Sequence, residues 1–238
     1  MARADGREPH ELRALSFQRG FTSRAPGSVL ASFGRTQVLC TAMVTDGVPP
    51  FLQGRGQGWL TAEYSMLPSA TEGRKPRDRS GKIDGRSIEI QRLIGRALRS
   101  VIEFSKLTER TVWIDCDVLQ ADGGTRTTAI TGAWVALHDL FGHMQAKRLL
   151  RAWPLRSQVG AVSVGVVGGS ALCDLSYEED HRAETDMNLV MTSEGRFIEV
   201  QGSAEGATFT REELDQMLEL GGAAIRRIFE AQKAALGI

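Results

Sequence analysis

Residues 111–141 read TVWIDCDVLQADGGTRTTAITGAWVALHDLF, and the change of period inside this stretch decides the fold. Val112, Ile114, Cys116 and Val118 alternate with their neighbours, which places them on one face of a strand. Ala121-Asp122-Gly123-Gly124 breaks the alternation. From Thr125 the apolar positions take helical spacing, with Ile130, Ala133, Trp134, Leu137, Leu140 and Phe141 on one stripe. A strand, a two-glycine turn and a helix therefore stand in direct succession.

Upstream, Ile90, Leu93, Ile94, Ala97, Leu98 and Val101 make one apolar face of a helix from about Arg86 to Phe104, with Asp84 as its N-cap. Before it, LRALSFQRGF, SVLASFG, TQVLCTAMV and GWLTAEYSM read as short strands punctuated by Ala25-Pro26-Gly27, Phe33-Gly34 and Gly47. Residues 69–86 are polar and charged, and read as a long functional or mobile loop. Downstream, SQVGAVSVGVVGG, SALCDLSY, TDMNLVMTS and RFIEVQG read as strands. A closing helix starts at Thr210 with Glu213 in capping-box position, and its apolar face is Leu214, Met217, Leu218, Gly221, Ile225, Ile228 and Phe229. The order is strands, helix, strand, helix, then strands and helix. It predicts an α+β chain of two stacked lobes rather than a Rossmann alternation. The 238 residues are read as one domain, with an N-terminal lobe over about 1–150 and a C-terminal lobe over about 151–238.

Composition limits the function classes. Hydrophobic residues are 42% and charged residues 24%, as expected of a packed globular chain. No apolar run approaches the roughly 18 residues that a membrane helix needs, and MARADGREPHELR lacks the apolar core of a signal peptide. Cys40, Cys116 and Cys173 sit apart in apolar stretches and are expected to be buried, reduced thiols of a cytoplasmic protein. The formal net charge is zero, so a nucleic-acid site has to arise from a local excess of base. Arg74 to Arg99 supplies one, with nine Lys/Arg against Asp78, Asp84 and Glu89. No GxSxG elbow, Walker A loop or GxGxxG motif occurs, which disfavours covalent-serine and nucleotide-kinase chemistry.

Three clusters carry chemistry. Gly123-Gly124-Thr125-Arg126 stands where a helix N-terminus offers free N–H groups to an anion. Thr125 and Thr127 either cap this helix or reach a phosphate oxygen. Arg126 lies in the first turn, where the dipole disfavours a cation unless an anion offsets it. Arg86 repeats the anomaly at the other helix start, and guanidinium groups match phosphate in bidentate fashion. An ordinary glycine turn and a surface arginine would leave the same string. The third cluster runs from Asp174 to Asp186, with five carboxylates between Glu178 and Asp186. It reads as an acidic loop, with Asp186 at the start of a strand. Its acids can hold Mg²⁺, supply a general acid, or simply be solvated.

In this order and spacing, Ile83-Asp84-Gly85-Arg86-Ser87-Ile88-Glu89-Ile90-Gln91-Arg92, Gly123-Gly124-Thr125-Arg126, Tyr177-Glu178-Glu179-Asp180 and Ala183-Glu184-Thr185-Asp186-Met187-Asn188 resemble the ribonuclease PH family. They are more distantly similar to exosome catalytic subunits and polynucleotide phosphorylase. Asp5-Gly6-Arg7, Gly58 to Tyr64 and Glu199-Val200-Gln201-Gly202 extend the likeness over nearly the whole chain. The resemblance implies the two-lobed βαβ fold of the ribosomal protein S5 domain 2-like type. It also implies a phosphate-dependent 3′-to-5′ exoribonuclease, a tRNA nucleotidyltransferase, that trims tRNA 3′ ends reversibly, with a place in rRNA processing. Inorganic phosphate would be co-substrate, bound by Arg86, Gly124, Thr125 and Arg126. Asp180 and Asp186 would be the catalytic acids and hold Mg²⁺. Arg74, Arg77, Arg79 and Arg92 would contact RNA, and the assembly would be a homo-hexamer built as a trimer of dimers. Polynucleotide phosphorylase has a lysine where this chain has Asn188. The rival readings are a metal-dependent hydrolytic nuclease and a non-catalytic ring subunit.

Overall fold

The computed structural model describes residues 3–77, 84–204, 206 and 208–238. The N-terminal lobe is a five-stranded sheet in the order β1-β2-β3-β5-β4, formed by Leu15–Arg19, Gly27–Phe33, Thr36–Asp46, Trp59–Met66 and Arg110–Gln120 (β1 to β5). Only β4 and β5 pair in parallel. A parallel neighbour cannot be reached by a hairpin, so a crossover is required, and α1 (Gly85–Arg99) makes it. The C-terminal lobe is an antiparallel sheet in the order β7-β6-β8-β9, formed by Val159–Val167, Ser170–Cys173, Thr185–Thr192 and Phe197–Ala204 (β6 to β9), covered by α4 (Arg211–Leu236).

Helix α2 (Thr125–Ala146) packs on β2 and β3 of one lobe and on β6 of the other. A helix enclosed from two sides must be apolar or small nearly all round, and fifteen of its residues are buried, including Ala129, Thr131, Gly132 and Val135 off the expected stripe. The polar groups trapped at this junction are satisfied. The Thr131 hydroxyl accepts from the Ala161 amide at 3.1 Å, and the Gln232 side-chain amide donates to the Thr131 and Val159 carbonyls at 3.1 and 2.9 Å.

The two-lobed α+β expectation holds, and the local departures have physical causes. α1 stops at Arg99 because Ile102 bridges to Leu155 and the Glu103 amide donates to the Pro154 carbonyl at 2.9 Å, which draws the chain out of the helix. α2 continues past Phe141 to Ala146 because Met144 is still covered. The segment read as a strand from Ser170 to Tyr177 is one only to Cys173, and the acidic run read as a loop contains α3 (Tyr177–Arg182). The Glu179 carboxylate accepts from the Ser176 amide at 2.9 Å, and Glu178, Glu179 and Asp180 fill the first turn, where the helix dipole favours acids. Asp84 does cap α1, accepting from the Arg86 amide at 3.3 Å, and Thr210 and Glu213 form their box. The three cysteines are buried and free, with Cys40 and Cys116 facing each other across β3 and β5.

Candidate active site

The turn between β5 and α2 is built for close approach. Gly123 and Gly124 both have positive φ, at 74° and 63°, and Gly124 caps α2 without any side-chain hydrogen bond. A Cβ on Gly123 would lie 2.4 Å from the Leu175 carbonyl oxygen and 2.9 Å from the Tyr177 nitrogen, so here the N-terminal lobe touches the start of α3 in backbone-to-backbone contact. The threonine hydroxyls are already engaged. Thr125 accepts from the Tyr64 hydroxyl at 2.9 Å, and Thr127 and Thr128 both donate to the Gly124 carbonyl at 2.9 Å. The first turn of α2 therefore offers an anion its backbone N–H groups and the Thr125 O–H, which accepts from Tyr64 and keeps its own proton to donate.

Arg126 leans across to α1 and β9. One terminal nitrogen donates to Glu89 Oε1 at 3.2 Å and to Gln201 Oε1 at 3.1 Å, and Gln201 donates to the same Glu89 oxygen at 3.0 Å. The Gln201 hydrogen bond, joined by the charges of Arg126 and Arg86, holds the Glu89 carboxyl below its usual range despite partial burial. Farther along, Arg96 pairs with Glu199 at 2.8 Å, so α1 is fastened to β9 at two points. Arg86 is exposed in the first turn of α1 and lines a cavity of about 580 Å³ with Ser65, Lys75, Arg77 and Asp84. Lys75 clasps Asp84 at 3.2 Å, which ties the basic loop to the helix start. Arg77 also lines the adjoining cleft, with Arg74, Thr71 and Glu72. Arg92 is exposed on α1. Arg79 lies outside the described residues.

Asp180 on α3 and Asp186 on β8 come close enough to repel. Loss of hydration in the cleft and then the Asp186 carboxylate raise the Asp180 pKa, and the charges of Arg86, Arg126 and Arg13 oppose the rise. The charges of the two helix-start arginines are thus both felt at Asp180. Asp186 and Asn188 share a face of β8, opposite Ser203 and Gln201 of β9, and the Ser203 hydroxyl donates to Asp186 at 3.4 Å.

Behind this front lies an ion-pair network that carries no local signature in the chain. Asp174, with φ of 52° and no exposed surface, accepts from the Arg13 amide at 2.7 Å, Arg13 Nε at 3.0 Å and Arg13 Nη2 at 2.7 Å. Arg13 also donates to the Asp122 carbonyl, which belongs to the glycine turn. Arg3 forks onto Glu179 at 2.7 and 2.8 Å, and Arg7 reaches the Asp174 carbonyl at 3.1 Å. The N-terminal segment thereby fixes α3, and with it Asp180, relative to the N-terminus of α2. Arg7 fell within a matched motif but carried no expected role, and Arg3 and Arg13 fell outside the matched strings. No periodicity could reveal partners more than 150 positions away.

The two-lobed architecture is that of exosome core subunits. Rice Rrp46 superimposes with a TM-score of 0.81 at 22% identity, covering 99% of this chain and 100% of its own. The Archaeoglobus fulgidus exosome with RNA bound to its active site contributes a chain at TM-score 0.82 and 24% identity, covering 96% of this chain and 91% of that one. In sequence, residues 11–141 match domain 1 and residues 157–224 match domain 2 of the 3′ exoribonuclease family. The chain belongs to that family. It is 56% identical to the ribonuclease PH of Synechococcus sp. strain JA-2-3B'a(2-13), over 99% of this chain and 98% of the relative. The ribonuclease PH of Synechococcus sp. strain JA-3-3Ab is likewise 56% identical over the same shares.

Proposed function

We propose that this chain is a phosphate-dependent 3′-to-5′ exoribonuclease that trims tRNA 3′ ends and releases nucleoside diphosphates. The observation that carries the reading is the backbone contact of the Gly123–Gly124 turn with the start of α3, which sets the first turn of α2, with Arg126, beside the helix that carries Asp180. The ribonuclease PH name of relatives at 56% identity points the same way.

In this reading phosphate sits on the uncapped N-terminus of α2, held by the Gly124 and Thr125 amides and by Arg86 and Arg126. Its oxygen forms a bond to the terminal phosphorus of the RNA as the bond to the neighbouring 3′ oxygen breaks. That 3′ oxygen takes a proton, and the nucleoside diphosphate departs. Positioning and charge stabilisation by fixed donors supply the acceleration. A phosphoanhydride replaces a phosphodiester, so the reaction runs in both directions. Glu89 and Gln201 hold one Arg126 nitrogen, which orients the guanidinium before phosphate arrives.

Asp180 and Asp186 fit Mg²⁺. Among the described residues no group of three or more His, Cys, Asp or Glu could hold a metal, but Mg²⁺ is commonly bound by one or two carboxylates, with water and substrate phosphates completing its shell. The repulsion that raises Asp180 is relieved by a cation or by a proton, and a protonated Asp180 is a donor for the leaving 3′ oxygen. Bound Mg²⁺ would neutralise charge developing on the reacting oxygens.

Arg74, Arg77, Arg79 and Arg92 contact the RNA backbone. The chain works as one domain, with an N-terminal lobe over about 1–150 and a C-terminal lobe over about 151–238, in a cytoplasmic homo-hexamer arranged as a trimer of dimers, with rRNA as a second class of substrate. Exposed Trp113 and Met43 on the first sheet, and Phe197 and Val200 on edge strand β9, support burial between copies. No helix among the described residues is long and apolar enough to cross a membrane. The test is RNA with Mg²⁺, with and without phosphate. Diphosphate products that require phosphate are expected, and monophosphates formed without it would establish hydrolysis instead.

A further inference from the structure

Tyr177 and His181 stand one helical turn apart on α3, with rings 6.1 Å apart between centroids and only 9° from parallel. Tyr177 is 57% exposed, although it lies beside the ion-pair network of Arg3, Arg7 and Arg13. On a helix, positions 177, 180 and 181 share one side, so this parallel pair flanks Asp180. Its surroundings include an available cation. The Tyr177 amide donates to Asp122 Oδ1 at 3.4 Å, and Asp122 Oδ2 holds Arg35 Nε at 3.0 Å. Arg35 is 74% exposed and is bound through that one nitrogen, which leaves the ends of its fork to solvent. Arg35 also shares a cavity with Asp122, Ser176 and Glu178 at the start of α3. Aromatic surface and an available guanidinium, joined through Asp122, therefore stand together on the short helix that carries Asp180.

We propose that Tyr177 and His181 form a stacking platform for a nucleobase near the RNA 3′ end, with Arg35 taking an adjacent phosphate. This rests on the exoribonuclease reading above and adds a base subsite to it. Stacking needs only a π-face, so the platform accepts any base, as an enzyme that advances one nucleotide at a time requires. It would hold the chain end in place while the terminal linkage lies between Asp180 and the phosphate.

The test measures binding of a short 5′-labelled RNA by fluorescence anisotropy, without phosphate so that no turnover occurs. The intact RNA is compared with versions abasic at each of the last few positions. In the wild-type protein, one abasic position near the end should weaken binding by about fivefold or more, the scale of one base–aromatic stack. Tyr177→Ala should weaken intact RNA to a similar degree and abolish that difference, whereas Tyr177→Trp should keep both. Tyr177→Leu serves as a second removal of the ring, and His181→Ala should narrow the difference partly. Equal weakening of intact and abasic RNA, or none, would overturn the proposal. So would a changed oligomeric state in these variants, which would assign the pair to contact between copies. Absence of phosphate-dependent degradation by the wild-type protein would count against the exoribonuclease reading alone, because the abasic comparison is read without phosphate.

Discussion

Replacing Asp174 with alanine should be among the most damaging single changes outside the apolar core. The Asp174 carboxylate accepts from Arg13 at 2.7 Å (amide), 3.0 Å (Nε) and 2.7 Å (Nη2), and from Arg7 Nη1 at 3.5 Å. The Arg13 side chain is only 6% exposed. Removing the carboxylate leaves a guanidinium buried without its counter-charge, which costs about 3–5 kcal/mol. At about 2–4 °C per kcal/mol for a chain of this length, the melting temperature should fall by roughly 6–20 °C. The Asp122 carbonyl still accepts from Arg13, which favours the lower part of that range. Two companions separate charge from backbone strain. Asp174→Gly relieves the positive φ but orphans the same charge, so it should be nearly as harmful. The double change Arg13→Met with Asp174→Leu removes both charges and should be less harmful than the sum of its parts by about 1 kcal/mol or more. Urea unfolding followed by circular dichroism, at one fixed protein concentration, measures all three together with the single changes Arg13→Met and Asp174→Leu. A loss under about 1 kcal/mol for Asp174→Ala, or strict additivity in the double change, would refute the orphaned-charge argument.

Four further outcomes follow from the site geometry. Gly123→Ala should cut turnover strongly while leaving most secondary structure, because its Cβ would collide with the Leu175 carbonyl and force α3 away from α2; steady-state kinetics beside a circular dichroism spectrum checks this. Arg126→Ala should raise the half-saturating phosphate concentration by about tenfold or more, the scale of a charge-assisted contact, in initial-rate assays at varied phosphate. Asp180→Asn should lose most turnover yet melt at or above the wild-type temperature at pH 7. The sign follows from linkage: an acid whose folded pKa is raised binds more protons folded than unfolded, so stability is lost as pH rises through its shifted range, and the advantage of asparagine should vanish below the ordinary carboxylate range. Mg²⁺ should accordingly raise the wild-type melting temperature more than that of this variant. Changing Arg74 and Arg77 to alanine should weaken tRNA binding and reduce its salt slope by up to about two counterions, as measured by filter binding at several salt concentrations.

The legible part of this fold is the part written in local period. β5, the glycine turn and α2 follow directly from residues 111–141, and α1 and α4 follow from single apolar faces with caps at Asp84 and Thr210. α3 escaped that reading because six residues are too few to show a helical period and four of them are charged. Its signal lay in the serine and glutamate of Ser176-Tyr177-Glu178-Glu179, a capping-box string that precedes no apolar run. The full enclosure of α2 was equally hidden, since one stripe accounts for packing against one sheet while the second sheet, 13 residues beyond the end of α2, supplies the other wall.

The site divides along the same line, and the arginines show why. A cation in the first turn of a helix is a local contradiction, and Arg86 and Arg126 could be singled out because the contradiction is local. Its resolution is not local. For Arg126 it comes from Glu89 on another helix and Gln201 on another sheet, and the charges of both arginines also act on Asp180. The carboxylates have the complementary problem. Asp180 loses hydration in the cleft and is repelled by Asp186, and the opposing pull of three arginines does not bring the Asp180 pKa back to its ordinary value. Each half is unfavourable alone, and they can be held together only because something else fixes the distance between them. That task falls to Arg3, Arg7 and Arg13, which bind α3 and the glycine turn to one short N-terminal segment. The chemistry is therefore foreshadowed by residues that look misplaced, whereas the framework that makes the misplacement tolerable is visible only in three dimensions.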